Sequence, residues 1–120
     1  LIKDNHIEVA GSITKAVEEC VKYNKKHVTK FKIEVETKNL IEVEEAIKTK
    51  ADTIMLDNFE VGEMKKAVEL INGKCKVEAS GGVNLETVKS IAETGVDFIS
   101  VGALTHSVKA LDISLEITLK

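Results

Sequence analysis

Hydrophobic and polar positions along this chain switch between two periods, and the switching predicts a regular succession of helices and strands. From Gly11 to Lys25 the apolar residues Ile13, Ala16, Val17, Cys20 and Val21 recur at helical spacing, and Ser12 is placed to cap the helix start. Phe31 to Glu36 then alternates strictly: Phe31, Ile33 and Val35 share one face and the charged residues the other. On that polar face Lys32 and Glu34 lie deeper than Glu36 and are expected to form an internal ion pair. Asn39 can cap a second helix that turns Leu40, Val43, Ala46 and Ile47 inward, with its glutamates early and Lys48 and Lys50 late, as the helix dipole favours.

Thr53-Ile54-Met55-Leu56 is almost wholly apolar, as expected of a strand covered on both faces. A third helix runs from about Glu60 to Ile71 and stops at Asn72-Gly73, and a third strand spans about Lys76 to Ala79. Asn84 opens a fourth helix with Leu85, Val88, Ile91 and Ala92 on its buried face, ending at Thr94-Gly95 before a fourth strand, Phe98 to Val101. Leu111 to Leu119 alternates perfectly and reads as one more strand, which lacks a helical crossover and is expected to pair elsewhere. The succession of strand and helix implies right-handed βαβ units and a parallel sheet.

Composition narrows the picture. With 120 residues, 43% hydrophobic and 31% charged, the chain has the size and make-up of one soluble domain. A closed eight-stranded α/β barrel takes roughly 200 to 250 residues, so these strands would make about half of one. The net charge of −3 and the scattered lysines argue against a nucleic-acid partner. No apolar run reaches the ~18 residues of a membrane span, and a cytoplasmic setting is expected. Cys20 and Cys75 show no metal-ligand or disulfide spacing and read as reduced, buried thiols. All 17 basic residues are lysine, so an anion site here must use lysine, histidine or backbone amides. The chain opens at Leu1 on what reads as a strand end, so preceding sequence is expected.

Active groups in parallel α/β folds gather at the carboxyl ends of strands, and the informative residues fall there. Glu36 closes the first strand, Asp57 the second, Ser80-Gly81-Gly82 the third and Gly102-Ala103 the fourth. Two acids on neighbouring strand ends can hold a divalent cation or raise one another's pKa; alternatively Glu36 is simply solvated or salt-bridged, and Asp57 caps the next helix. Two successive glycine loops suit the phosphate site that many barrels build from their last two βα loops, where backbone amides meet the anion; tight turns are the plainer explanation of each loop alone. Lys3 would end a preceding strand and reach the same mouth, unless it is an ordinary surface lysine. His106 follows the second glycine loop as a phosphate partner or a hydrogen-bonded structural residue, and His27, among lysines, is solvated.

Taken together, Lys3-Asp4-Asn5-His6, Ile33-Glu34-Val35-Glu36, Met55-Leu56-Asp57-Asn58, Glu78-Ala79-Ser80-Gly81-Gly82 and Gly95 to Ser107 resemble the quinolinate phosphoribosyltransferases in order and spacing, with Ala110 to Leu115 extending the match. The resemblance implies a partial (β/α) barrel of parallel strands, about four βα units from the carboxy-terminal half of a TIM-like phosphate-binding barrel, with residues 1–120 as one domain. It implies that quinolinate and phosphoribosyl pyrophosphate give nicotinate mononucleotide, pyrophosphate and CO2 for NAD synthesis, with Mg2+ and no organic cofactor. By position, Lys3 would contact substrate anions, Glu36 and Asp57 would face the ribose and the Mg2+-pyrophosphate, and Ser80, Gly81, Gly82 and Gly102 would bind the 5′-phosphate. His106 would be a weaker candidate for that phosphate. Family members also carry an amino-terminal domain, the first barrel strands and arginines that clamp the quinolinate carboxylates, and they assemble as dimers or larger. This chain has no arginine and is expected to be catalytically silent alone, with unpaired sheet edges that promote self-association. The alternatives are a molybdenum-transport-associated homologue or nicotinate phosphoribosyltransferase, of the same fold family, or a non-catalytic phosphate-binding or assembly scaffold.

Overall fold

Three successive stretches of this chain bury every second side chain, and that alternation fixes which face of the sheet the helices cover. A computed structural model of the chain describes residues 1–106. The strands are β1 (Glu34–Thr37), β2 (Thr53–Asp57), β3 (Lys76–Ser80) and β4 (Phe98–Ile99), and they pair in parallel in chain order. Val35 and Thr37, Ile54 and Leu56, and Val77 and Ala79 point to one side and are buried. Between and before the strands run α1 (Asp4–Ala10), α2 (Ile13–Lys26), α3 (Leu40–Ala46), α4 (Val61–Ile71) and α5 (Val88–Ala92), and α6 (Ala103–His106) follows β4.

Ala16 and Val17 of α2, Val43 and Ala46 of α3, and Met64, Ala67 and Ile71 of α4 join the strand residues in one core. A fully buried leucine or isoleucine such as Leu56, Ile54 or Ile71 contributes about 1.5–3 kcal/mol relative to exposure. The opposite face carries Glu34, Glu36, Asp57, Glu78 and Ser80. The same tie occurs in two of the βαβ units, the first and the third. Asp52, just before β2, accepts from Lys32 Nζ and the Ile33 amide, both at 2.8 Å, and Asp97, just before β4, accepts from Lys76 Nζ at 2.6 Å and the Val77 amide at 2.8 Å.

Helix boundaries follow local chemistry. Ser12 caps α2 by accepting from the Lys15 amide, and Asn39 caps α3 by accepting from the Glu42 amide. α4 stops at Asn72, itself left-handed at φ 45°, with Gly73 following at φ 71°.

Several expectations are corrected. Ile2 does pair with Val35, donating its amide to the Glu34 carbonyl and accepting from the Glu36 amide, but the chain then turns at once into α1. The outer edge of β1 is therefore partly covered by Ile2. Phe31 precedes the strand and stays exposed; its carbonyl is held by Asn24 Nδ2 at 2.9 Å. Leu85 is exposed rather than buried, because Asn84 to Thr87 form a turn, with Asn84 Oδ1 accepting from the Glu86 and Thr87 amides, and α5 begins only at Val88. Lys32 pairs with Asp52, not Glu34. Cys20 and Cys75 are free and half-buried. The strand expected at Leu111 to Leu119 lies outside the described residues.

Candidate functional site

The acids and the glycine loop meet at the carboxyl end of the sheet because of strand register. Asp57, the last residue of β2, is paired directly with Ser80, the last residue of β3. Glu36 is paired with Met55, two residues before Asp57, and so lies on the same face one step along the next strand. Asp57 does not cap the following helix: α4 is entered at Glu60, whose side chain makes no capping bond. Its Oδ2 instead accepts from Asn58 Nδ2 at 3.0 Å.

Gly81 and Gly82 both adopt left-handed backbone, at φ 85° and 62°, a region a Cβ disfavours. They line a cavity of about 220 Å³ with Asn58, Phe59, Thr87 and Ile91. The helix expected to begin at this loop is displaced by the Asn84–Thr87 turn, so the amides nearest Gly82 belong to a loop. Gly102 leads directly into α6, and its carbonyl accepts from the Thr105 amide and hydroxyl. His106 closes α6, and its side chain lies outside what the structure describes.

Glu36 opens into a second cavity of about 290 Å³, shared with Asp4, Gly11, Ser12, Lys38 and Glu42. Lys38 donates to Asp4 at 2.7 Å; that hydrogen bond holds the Asp4 carboxyl below its usual range and the Lys38 ammonium above its own. Lys3 stands next to Glu36 across the Ile2 pairing, exposed, with its amide donating to His6 Nδ1 at 3.0 Å. The structure thus brings Lys3, Glu36, Asp57, Ser80 and Gly81 to one rim, while Glu36 and the glycine loop face separate cavities.

Deeper on this face lies a group that sequence reasoning misjudged. Burial first, and then the charge of Glu78, push the Glu34 carboxyl above the ordinary glutamate value. Glu34 Oε1 is buried without a partner, while Glu78 accepts from the Ser100 hydroxyl. Asn58 has a left-handed φ of 56°, a conformation that asparagine tolerates and that a linear pattern does not display.

Among the described residues no cluster of three or more His, Cys, Asp or Glu side chains could hold a metal unaided. Magnesium is usually bound through one or two carboxylates together with substrate phosphates. Glu36 and Asp57 suit that mode as a donor pair completed by a ligand.

A parallel α/β sheet with acids and left-handed glycines at its strand ends has the architecture of part of a βα barrel, a class in which ligand sites form at those ends. Over residues 1–116 the chain matches the family described as quinolinate phosphoribosyl transferase, C-terminal domain, and it belongs to that family. It is 50% identical over 98% of its length to a chloroplastic nicotinate-nucleotide pyrophosphorylase (carboxylating) of Arabidopsis thaliana, covering 38% of that protein. A probable nicotinate-nucleotide pyrophosphorylase of Methanocaldococcus jannaschii is 46% identical over 98% of the chain, which covers 42% of that relative. The solved nicotinate-nucleotide pyrophosphorylase of Francisella tularensis superposes with a TM-score of 0.80 at 47% identity, over 94% of this chain and 39% of the other. The chain spans about two-fifths of the length of the curated relatives it matches. Plant relatives are named as chloroplastic or mitochondrial, and no helix among the described residues is long and apolar enough to cross a membrane.

Proposed function

We propose that this chain supplies the ribose- and phosphate-facing part of a phosphoribosyltransferase that makes nicotinate mononucleotide from quinolinate and phosphoribosyl pyrophosphate. The observation that carries the proposal is the register pair Asp57 and Ser80, which sets an acid beside a left-handed glycine loop with Glu36 on the same face.

In the reaction the bond from the ribose anomeric carbon to pyrophosphate breaks, and its electron pair leaves with pyrophosphate. The quinolinate ring nitrogen forms the new bond to that carbon. The positively charged ring then takes up the electrons released when the adjacent carboxylate departs as CO2, and a proton replaces it on the ring. Glu36 and Asp57 face the anomeric carbon, where fixed negative charge stabilises developing positive charge. The same two acids would hold Mg2+, which when bound would supply positive charge to neutralise the departing pyrophosphate. Ser80, Gly81, Gly82 and Gly102 receive the 5′-phosphate through amides and a hydroxyl, and Lys3 meets substrate anions. His106 is assigned to the same phosphate.

No arginine is present, so an arginine clamp for two carboxylates is assigned to sequence outside this chain, and the chain alone is assigned ligand binding without turnover. Two free cysteines suit a reducing compartment such as the cytoplasm. Calorimetry with phosphoribosyl pyrophosphate and Mg2+ tests the reading: binding by the wild-type chain, weakened in Glu36→Ala and Asp57→Ala, is the expected result. No heat at millimolar ligand would instead identify a scaffold.

A further inference from the structure

Asn58 touches three parts of the rim at once. Its amide donates to the Ser80 carbonyl at 2.8 Å, and its Nδ2 donates to Asp57 Oδ2 at 3.0 Å. Gly81 lies against the same side chain, so closely that a Cβ there would stand 2.2 Å from Asn58 Oδ1. The backbone bond fastens the end of β2 to the end of β3, the side-chain donor orients the acid, and the side-chain bulk sets where the glycine loop runs.

Glycine would hold φ 56° with less strain than asparagine, yet it would provide neither side-chain contact. An exposed aspartate left alone samples several rotamers, whereas a carboxylate that accepts a charge-assisted hydrogen bond is held in one. Fixing two binding groups relative to each other before the ligand arrives is what preorganisation requires.

We propose that Asn58 is a positioning residue: it sets the direction of the Asp57 carboxylate and the position of the Gly81–Gly82 loop so that both act on a single phosphorylated sugar. The proposal rests on the reading of Asp57 and the glycine loop given above and deepens it.

Two measurements on the whole chain test it. Asn58→Gly keeps the backbone conformation and removes the side chain. Its affinity for phosphoribosyl pyrophosphate with Mg2+ should fall about tenfold, the scale of one lost hydrogen bond to a charged group. A purely conformational role predicts the opposite pattern, with Asn58→Gly binding like the wild type and only Asn58→Ala impaired; that result overturns the proposal. The second measurement needs no ligand. Gly81→Ala should destabilise the wild type more than it destabilises Asn58→Gly, because the side chain it collides with is then gone, whereas additive effects in this cycle would refute the contact. If the wild-type chain takes up no phosphoribosyl pyrophosphate, the reading of the site falls, and the clamp is judged by the stability cycle alone.

Discussion

Glu34 and Glu78, on strands separated by β2, hold their carboxyl groups against one another on the face of the sheet turned away from the helices. With both ionised, neither can donate, and buried Glu34 Oε1 has no partner. Protonation of Glu34 removes the like-charge repulsion and gives its carboxyl a hydrogen to donate.

This arrangement has a definite pH signature. The Glu34 carboxyl is held above its ordinary value of 4.5, so the folded state binds a proton that the unfolded state releases. The resulting stabilisation is complete below that ordinary value and is lost as pH rises through the elevated folded value. Glu34→Gln donates a hydrogen bond at every pH. It should therefore unfold at a higher temperature than the wild type near pH 7, with the advantage shrinking toward pH 4. Thermal unfolding followed across that range checks this, and parallel curves for the two proteins would rule it out.

Asp52 and Asp97 carry the opposite sign. Hydrogen bonds first from Lys32 and Lys76, and then from the Ile33 and Val77 amides, lower their carboxyls from the ordinary 3.8. Their contribution is present above that value and is lost as pH falls through the lower folded values. Asp97→Ala leaves the Val77 amide without its acceptor at the start of β3 and should cost about 1 kcal/mol at pH 7. Urea unfolding measures the difference, which should narrow near pH 2.

Two glycines separate backbone need from mere absence of a side chain. Gly62 lies inside α4, and a methyl group there would meet nothing within 4 Å. Gly62→Ala should stabilise the protein by about 0.5–1 kcal/mol. Gly95 has φ 90° and faces Val68; Gly95→Ala should destabilise by about 1–2 kcal/mol. Denaturant midpoints of the two variants should move in opposite directions.

The fold was legible wherever local pattern and tertiary packing agreed. Ser12, Asn39 and the Asn72-Gly73 stop mark helix ends that the structure retains, and the apolar run Thr53 to Leu56 is the buried centre of the sheet. The first helix was not legible, because Lys3 to His6 lacks an apolar stripe and Val9 within the helix is 91% exposed. Leu85 misled in the other direction: its spacing fits a helix face, but the Asn84 side chain holds a turn there instead. Parity alone paired Lys32 with Glu34. The ladder begins only after Lys32, however, and Asp52 is the acid its long side chain meets.

At the candidate site, strand-end positions could be read in order along the chain, and so could the glycines. Contacts across the sheet could not. The approach of Gly81 to Asn58 and of Glu34 to Glu78 depends on register between strands, and a single sequence carries no direct sign of register when each strand ends in polar residues.

The central claim is that groups from successive strand ends serve one phosphorylated sugar. The most direct test follows backbone amide resonances while phosphoribosyl pyrophosphate and Mg2+ are added to the chain. Shifts grouped at Lys3, Glu36, Asp57, Ser80 to Gly82 and Gly102 are the predicted result. Shifts confined to the lysine-lined groove of Lys22, Lys25, Lys48 and Lys50 on the helical side, or none at all, would contradict it.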